Sequence, residues 1–235
     1  MIDVMDYFGE KLIYEEISGQ TPLTSTSFGQ IKSADPSLNR SNFPESLNEI
    51  YKQVESINVF WQISLKKRGE QLVESLKQDP WLKENYWDEG WDFRMTEERM
   101  SGLIQIQKLE DMLNPEFCKD QGYYSVIEHC IDGENPDDYL PFDIHWTITA
   151  CLKRENGKIL DHVWLVNMEG KYLFDMGVTI EKYLELCYKA KGFYHWQLVY
   201  HYQDEDDQDY QLMKRYLPVL FPNVELELSD FGMEK

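Results

Sequence analysis

Apolar positions recur along the chain at two spacings, and each spacing predicts an element. Between Gly170 and His201 both appear in turn. Tyr172 to Phe174 is a short strand-like run that ends at Asp175, with Gly177 just beyond it. Ile180, Tyr183, Leu184 and Cys187 then stand at i, i+3, i+4 and i+7, which places one apolar stripe on a helix. Thr179 is suited to cap that helix, because its hydroxyl can accept from first-turn amides that lack helical partners. Gly192 supplies a left-handed stop, so the helix is expected over Thr179–Lys191. The aromatic run GFYHWQLVYH that follows reads as a strand.

Period-two alternation marks the other strands. Ile57, Val59, Trp61, Ile63 and Leu65 alternate with mostly polar neighbours, and Ile144, Trp146, Ile148, Ala150 and Leu152 do the same against His145, Thr147, Thr149 and Cys151. Asn156-Gly157 is a hairpin signal, since both central positions of a type I′ turn need a positive φ. Ile159–Val166 is the returning strand, and Glu169-Gly170 turns the chain into Tyr172–Phe174. A three-stranded meander over Ile144–Phe174 is expected.

The rest of the pattern is helical or irregular. Asp3–Ile17 reads as a helix, and Ser18–Asn42, rich in Ser, Thr, Gly, Pro and Asn, as a loop. Pro44 stands at a first-turn position ahead of the stripe Leu47, Ile50, Tyr51 and Val54. Lys66, Lys67 and Arg68 form a basic run at a strand end, and Gln71–Lys77 is a short helix. An insert bearing Trp81, Trp87 and Trp91 has no assignable element. Gly102–Gln107 is a strand and Leu109–Leu113 a helical turn before Pro115. After the acidic run Asp204, Glu205, Asp206, Asp207 and Asp209, a helix carries Leu212, Met213, Tyr216, Leu217 and Leu220, with Pro218 in its last turn. The tail NVELELSDF alternates and reads as extended. Strand runs set apart from helices point to the α+β class: a single domain, mainly an antiparallel sheet with helices packed on one face. Residues 1–42 would be a helix and loop arm, 43–201 the core, and 202–235 an acidic loop, helix and tail packed on it.

Composition narrows the setting. A 42% hydrophobic and 14% aromatic chain of 235 residues can bury a sizeable core. Its four cysteines show no CxxC spacing and no density of a disulfide scaffold, and two of them fall inside apolar periodic segments and read as buried free thiols. The acidic start lacks a basic n-region, and no run approaches the roughly 20 apolar residues of a membrane span, so a cytoplasmic protein without membrane contact is expected. The 43 acidic side chains against 23 basic ones give a net charge of −20, a field that repels nucleic acid and attracts basic partners.

Candidate chemistry is sparse. The chain has no GxSxG, P-loop, GxGxxG or HExxH. Asp143/His145 and Asp161/His162 fall on neighbouring predicted strands, but Asp161 and His162 would point to opposite faces of a regular strand. Glu169 with Asp175, or Asp137 with Asp138, are carboxylate pairs of a kind that chance supplies in so acidic a chain. Cys187 as a nucleophile with His195 as its base is a poor fit, because Cys187 lies on an apolar stripe. No catalytic residue, metal site or cofactor is expected.

The stretches FPESLNEIYKQVESINVFWQISL, SGLIQIQKLEDML and Phe142–Gln197, in that order, resemble the SUKH superfamily. FPESLNEIYKQVESINVFWQISL is similar to the family's opening helix and Trp-bearing strand through Pro44, Leu47, Tyr51 and Trp61, with Ile57-Asn58 where the family has Asn-Gly. SGLIQIQKLEDML resembles its GxIxIxxLExxL piece through Gly102, Ile104, Ile106, Leu109 and Glu110. Phe142–Gln197 is similar through Tyr183, Leu184, Gly192 and Trp196, and LFPNVELELSDF resembles family tails. The resemblance implies a protein-binding module, not an enzyme: a bacterial immunity protein that neutralises a toxin, a class that includes many nucleases. A regulator or scaffold of cell-wall (glucan) synthesis is the alternative it implies, and a cryptic hydrolase is the remaining one. The expected partner is a basic toxin domain, met by the loop acids Asp137, Asp138, Asp204, Glu205, Asp206, Asp207 and Asp209, since loops commonly carry binding residues.

Overall fold

A computed structural model describes residues 3–9, 16, 27–29, 40–65, 68–86 and 99–233. It has the α+β architecture, with strands paired antiparallel and sheet neighbours following chain order. The described residues pack as two compact units, one drawn from Met1–Glu10, Gly29–Asn58 and Ile104–Tyr188, the other from Lys11–Phe28, Val59–Leu103 and Lys189–Lys235. This division cuts across the boundaries at 43 and 201 expected from the sequence.

The first unit is built on β4 (Tyr139–Ile144), β5 (Ile148–Glu155), β6 (Lys158–Asn167) and β7 (Tyr172–Asp175). Asn156 and Gly157 take φ of 50° and 75°, the two positive values that a right-twisted hairpin needs between β5 and β6. Register sets Cys151 opposite Trp164 and Ala150 opposite both Asp143 and Leu165, so Cys151 and Ala150 point to opposite faces. One face holds a cluster of Tyr139, Cys151 and Val166 with Tyr123 and Ile127 of α7 (Gly122–Cys130) and Cys118 of α6 (Pro115–Lys119). The opposite face meets α8 (Ile180–Lys189), whose Tyr183 stands edge-on to Phe142 at 6.0 Å. On that side Asp161 also accepts from the Ser46 hydroxyl of α2 (Glu45–Gln53) at 2.7 Å and from the Ile180 amide at 3.2 Å. Helices therefore cover both faces, where one was expected. The reason lies in β5, whose Thr149 and Cys151 are as buried as Ile148, Ala150 and Leu152.

The stripe of α8 behaves as expected: Ile180, Tyr183, Leu184 and Cys187 are wholly buried, and the Thr179 hydroxyl caps the Lys182 amide at 3.2 Å. Two other expectations are corrected. Ile144–Leu152 is not one strand, because residues 145–147 turn the chain and the His145 amide donates to the Ile148 carbonyl at 2.8 Å. Pro44 is the cap of α2, one position before its first turn. Of the expected helix over Asp3–Ile17, α1 (Val4–Phe8) is present; most of the remainder and most of the Ser18–Asn42 loop lie outside the described residues.

In the second unit, β1 (Ser27–Phe28) pairs with β2 (Ile57–Gln62) through Ser27 opposite Phe60. Trp61 of β2 is buried and donates its indole N–H to the Lys191 carbonyl at 2.7 Å. β3 (Ser101–Ile106) passes so close that a Cβ on Gly102 would lie 2.1 Å from the Trp61 ring. Gly102 bridges Phe193, and there the expected strand GFYHWQLVYH ends. His195 takes a left-handed φ of 55°, and Trp196–Tyr202 forms α9. α3 (Gln71–Gln78) and α4 (Pro80–Tyr86) follow β2, and α4 gives Trp81 a place beside Tyr216 with the Arg215 guanidinium 5.0 Å over its ring. Trp87, Trp91, Lys66 and Lys67 lie outside the described residues. α10 (Gln208–Leu220) buries Leu212, Met213, Tyr216, Leu217 and Leu220, and contains Pro218. The tail beyond it forms no strand and ends in a 3₁₀ turn at Ser229–Phe231. Cys118, Cys151 and Cys187 are buried free thiols and Cys130 is an exposed one. Among the described residues no helix is long and apolar enough to cross a membrane.

Candidate functional site

The acidic run lies between α9 and α10 and is shaped by its own side chains. Gln203, at a φ of 47°, ends α9, and its side-chain amide donates to the Asp230 carbonyl at 2.9 Å. The Asp204 carboxylate accepts from the Asp206 amide at 3.0 Å, and the Asp207 amide closes a turn on the Asp204 carbonyl at 3.1 Å. Aspartate suits this place because its short side chain can bond backbone two residues on. Asp207 caps α10, accepting from the amides of Asp209 and Tyr210 at 2.8 and 3.1 Å. The Gln211 side chain holds the Glu205 carbonyl at 2.6 Å. The loop backbone is thus held at the Asp204 and Glu205 carbonyls and at the Asp206 and Asp207 amides.

These bonds sort the seven candidate acids. Asp209 is turned inward: Arg99 reaches one of its oxygens at 3.2 Å and the His195 Nδ1 the other at 2.7 Å, so its charge is spent inside the protein. Asp207 serves the helix end, where a negative charge also suits the macrodipole. Asp204, Glu205 and Asp206 are exposed, and among the described residues the carboxylates of Glu205 and Asp206 take no hydrogen bond or ion pair. In the first unit, Asp137 and Asp138 sit in a 3₁₀ turn before β4. Asp137 accepts the Tyr124 hydroxyl at 2.9 Å, and that bond raises the Tyr124 pKa; its carbonyl accepts from Arg154 at 2.7 Å. The two clusters belong to different units.

The pairs weighed for catalysis are dispersed or enclosed. Asp143 is fully buried and accepts three donors: the Gln105 amide at 2.8 Å, the Tyr183 hydroxyl at 2.8 Å and the His145 Nε2 at 3.1 Å. It is a polar clasp within the core, joining β3, β4 and α8. His162 is exposed and lies 3.4 Å from Asp175, while Asp161 serves Ser46 and Ile180, so the two histidine pairs do not converge. Burial, then the nearby Asp143, pushes the Cys187 thiol well above its ordinary pKa, which removes it as a nucleophile at neutral pH. Among the described residues no group of three or more His, Cys, Asp or Glu side chains could hold a metal ion.

Sequence reasoning found the acidic loop but not the partners that divide it. The Arg99–Asp209–His195 clasp brings together residues up to 110 positions apart, and no local pattern announces such a contact. No protein-family model, curated protein or solved structure matches the chain.

Proposed function

We propose that this chain is a non-enzymatic protein-binding module of the immunity-protein kind, acting in the cytoplasm on a basic toxin domain. The observation that carries the reading is the outward face of the loop before α10. There Asp204, Glu205 and Asp206 are exposed on a backbone that hydrogen bonds hold in place. A fixed acidic surface loses little conformational freedom when it meets a cationic cleft, which favours binding. The net charge of −20 adds long-range attraction, able to raise association rates by about 10- to 10³-fold at low salt. Asp137 and Asp138 form a second acidic surface in the other unit.

The test is binding and protection together. Basic toxin domains encoded beside this gene would be titrated against the purified chain and co-expressed with it. One should bind tightly, with an association rate that falls as salt rises, and its toxicity should be suppressed. The triple variant Asp204→Asn, Glu205→Gln, Asp206→Asn should associate more slowly and show a weaker salt dependence, with the helix cap Asp207 left in place. Equal rates and equal salt dependence for the two proteins would exclude this loop, and absence of both binding and protection would overturn the reading.

A further inference from the structure

The sheet of the first unit ends in an edge that the reading above does not use. β7 is the last strand in the sheet order and pairs only with β6 among the described residues. We propose that this edge is a contact between two copies of this chain, in which β7 pairs antiparallel with β7 of the second copy about a two-fold axis at Leu173.

Backbone geometry leaves the edge open. In an antiparallel ladder, alternate residues direct their N–H and C=O groups to opposite sides of the strand. The Met168 amide donates to the Thr147 carbonyl at 2.8 Å, so Met168, Val166 and Trp164 direct their main-chain groups to β5. The Met176 amide donates to the Val163 carbonyl at 2.9 Å, so Met176, Phe174 and Tyr172 direct theirs to β6. Leu173 and Asp175, which stand opposite Val166 and Trp164, therefore turn theirs to the open side. Among the described residues no backbone bond from outside the ladder meets them there. The register runs without a bulge and the strand has no proline, so two devices that guard exposed edges are missing.

The side chains say which strand fits. Residues 171–175 read Lys-Tyr-Leu-Phe-Asp, an order that complements itself when reversed. Pairing about Leu173 sets that residue opposite its own copy, where the two exchange both hydrogen bonds. It also sets Tyr172 opposite the second copy's Phe174, and Lys171 beside the second copy's Asp175. Tyr172, Leu173 and Phe174 are half-buried, with the two rings 5.7 Å apart, so pairing gathers the rings of both copies on one face. Lys171 is exposed and has no ion pair among the described residues. Asp175 is exposed too; its carboxylate accepts from the Gly177 amide at 2.8 Å and lies 3.4 Å from His162. A slip that set Asp175 against its own copy would oppose like charges, which favours the register centred on Leu173. A uniformly basic strand fits less well, because Lys171 stands at the head of this edge.

The test is sedimentation equilibrium of the full chain. A four-residue edge makes a small contact and hence a weak dimer, so the chain is followed from about 5 µM to about 1 mM. A monomer–dimer equilibrium is expected. Each copy carries a charge of −20 and exposed ion pairs contribute little, so raising salt from about 0.05 M to about 0.5 M should tighten the dimer. Leu173→Pro removes an N–H that faces outward; it should leave the far-UV circular dichroism unchanged and abolish the dimer. Lys171→Glu and Asp175→Lys should each weaken self-association roughly tenfold or more, since like charges then meet at both ends. Mixed in equal amounts, these two variants should form a heterodimer, because one edge is then acidic at both ends and the other basic. That mixture decides the matter even if Leu173→Pro fails to fold. The Asp204→Asn, Glu205→Gln, Asp206→Asn variant should dimerise as the parent does, so this contact and the toxin reading can fail separately. A monomer at every concentration and salt, a dimer indifferent to Lys171→Glu, or a mixture that stays monomeric would each overturn the proposal. So would a monomer that instead binds a valine-arginine peptide through the Leu173 and Asp175 amides, which would give the edge to another protein.

Discussion

Asp143 shows what one side chain does in the first unit. A carboxylate with no exposure is costly unless its oxygens are met, and here a backbone amide, a tyrosine hydroxyl and an imidazole meet them. The arrangement is incomplete in one respect: the His145 Nδ1 is buried without a partner among the described residues. Asp143→Asn keeps the shape but turns an amide toward three donors. It should lower the free energy of unfolding by about 2–4 kcal/mol, read from urea denaturation of the purified protein. Tyr183→Phe, which removes one donor and leaves the others in place, should cost about 1 kcal/mol. A loss below about 0.5 kcal/mol for Asp143→Asn would show that the core relaxes around the clasp and that it is not a structural necessity. Gly102 is constrained differently, by space: the Trp61 ring and the Lys191 carbonyl occupy the volume a Cβ would need.

Among the helices and strands, legibility followed the number of independent local signals. α8 has a cap, a stripe and a glycine beyond it, and it stands where the sequence placed it, ending at Lys189. The β5–β6 hairpin is set by two residues that tolerate positive φ. α9 misled because an aromatic run has no period of its own; the left-handed His195 reorients the chain, and Trp196 and Val199 are then buried at helical spacing. α7 was not legible as an element, since Tyr123, Tyr124, Val126 and Ile127 surround the helix and leave no clean stripe. The tail NVELEL has strand spacing but gains no ladder among the described residues, and spacing alone cannot supply one. The acidic site was half legible: its composition was plain, but which acids face solvent depends on Arg99 and His195, distant in sequence. The cap of α10 lends itself to measurement. Asp207→Ala should destabilise the second unit by about 1 kcal/mol, whereas Asp206→Ala should change stability by less than about 0.5 kcal/mol. Thermal unfolding of the two variants in one buffer checks this, and equal losses would show that Asp207 is not acting as the cap.

For the molecule as a whole, 43 acids against 23 bases make charge a term in stability as well as in the proposed recognition. Carboxylates that do not find a cation repel one another, and the compact state holds them closer than the unfolded chain does. Raising salt from about 0.01 M to about 0.15 M shortens the screening length from about 30 Å to about 8 Å and should raise the melting temperature at pH 7. The same step should weaken capture of the basic partner proposed above, so that on this proposal salt acts in opposite directions on folding and binding. Near the isoelectric point of about 4.6 the gain in melting temperature should vanish. A melting temperature that falls with salt at pH 7 would mean that local ion pairs outweigh the net repulsion.

The distribution of thiols has a practical consequence. Cys130 is exposed at the end of α7, while Cys118, Cys151 and Cys187 are buried and held protonated by that burial, so alkylating reagents meet one sulfur in the native protein and four once it unfolds. The natural chain therefore comes with a single attachment point for a fluorophore or spin label. The three hidden sulfurs, with the same reagent, form a clock for the opening of its interior.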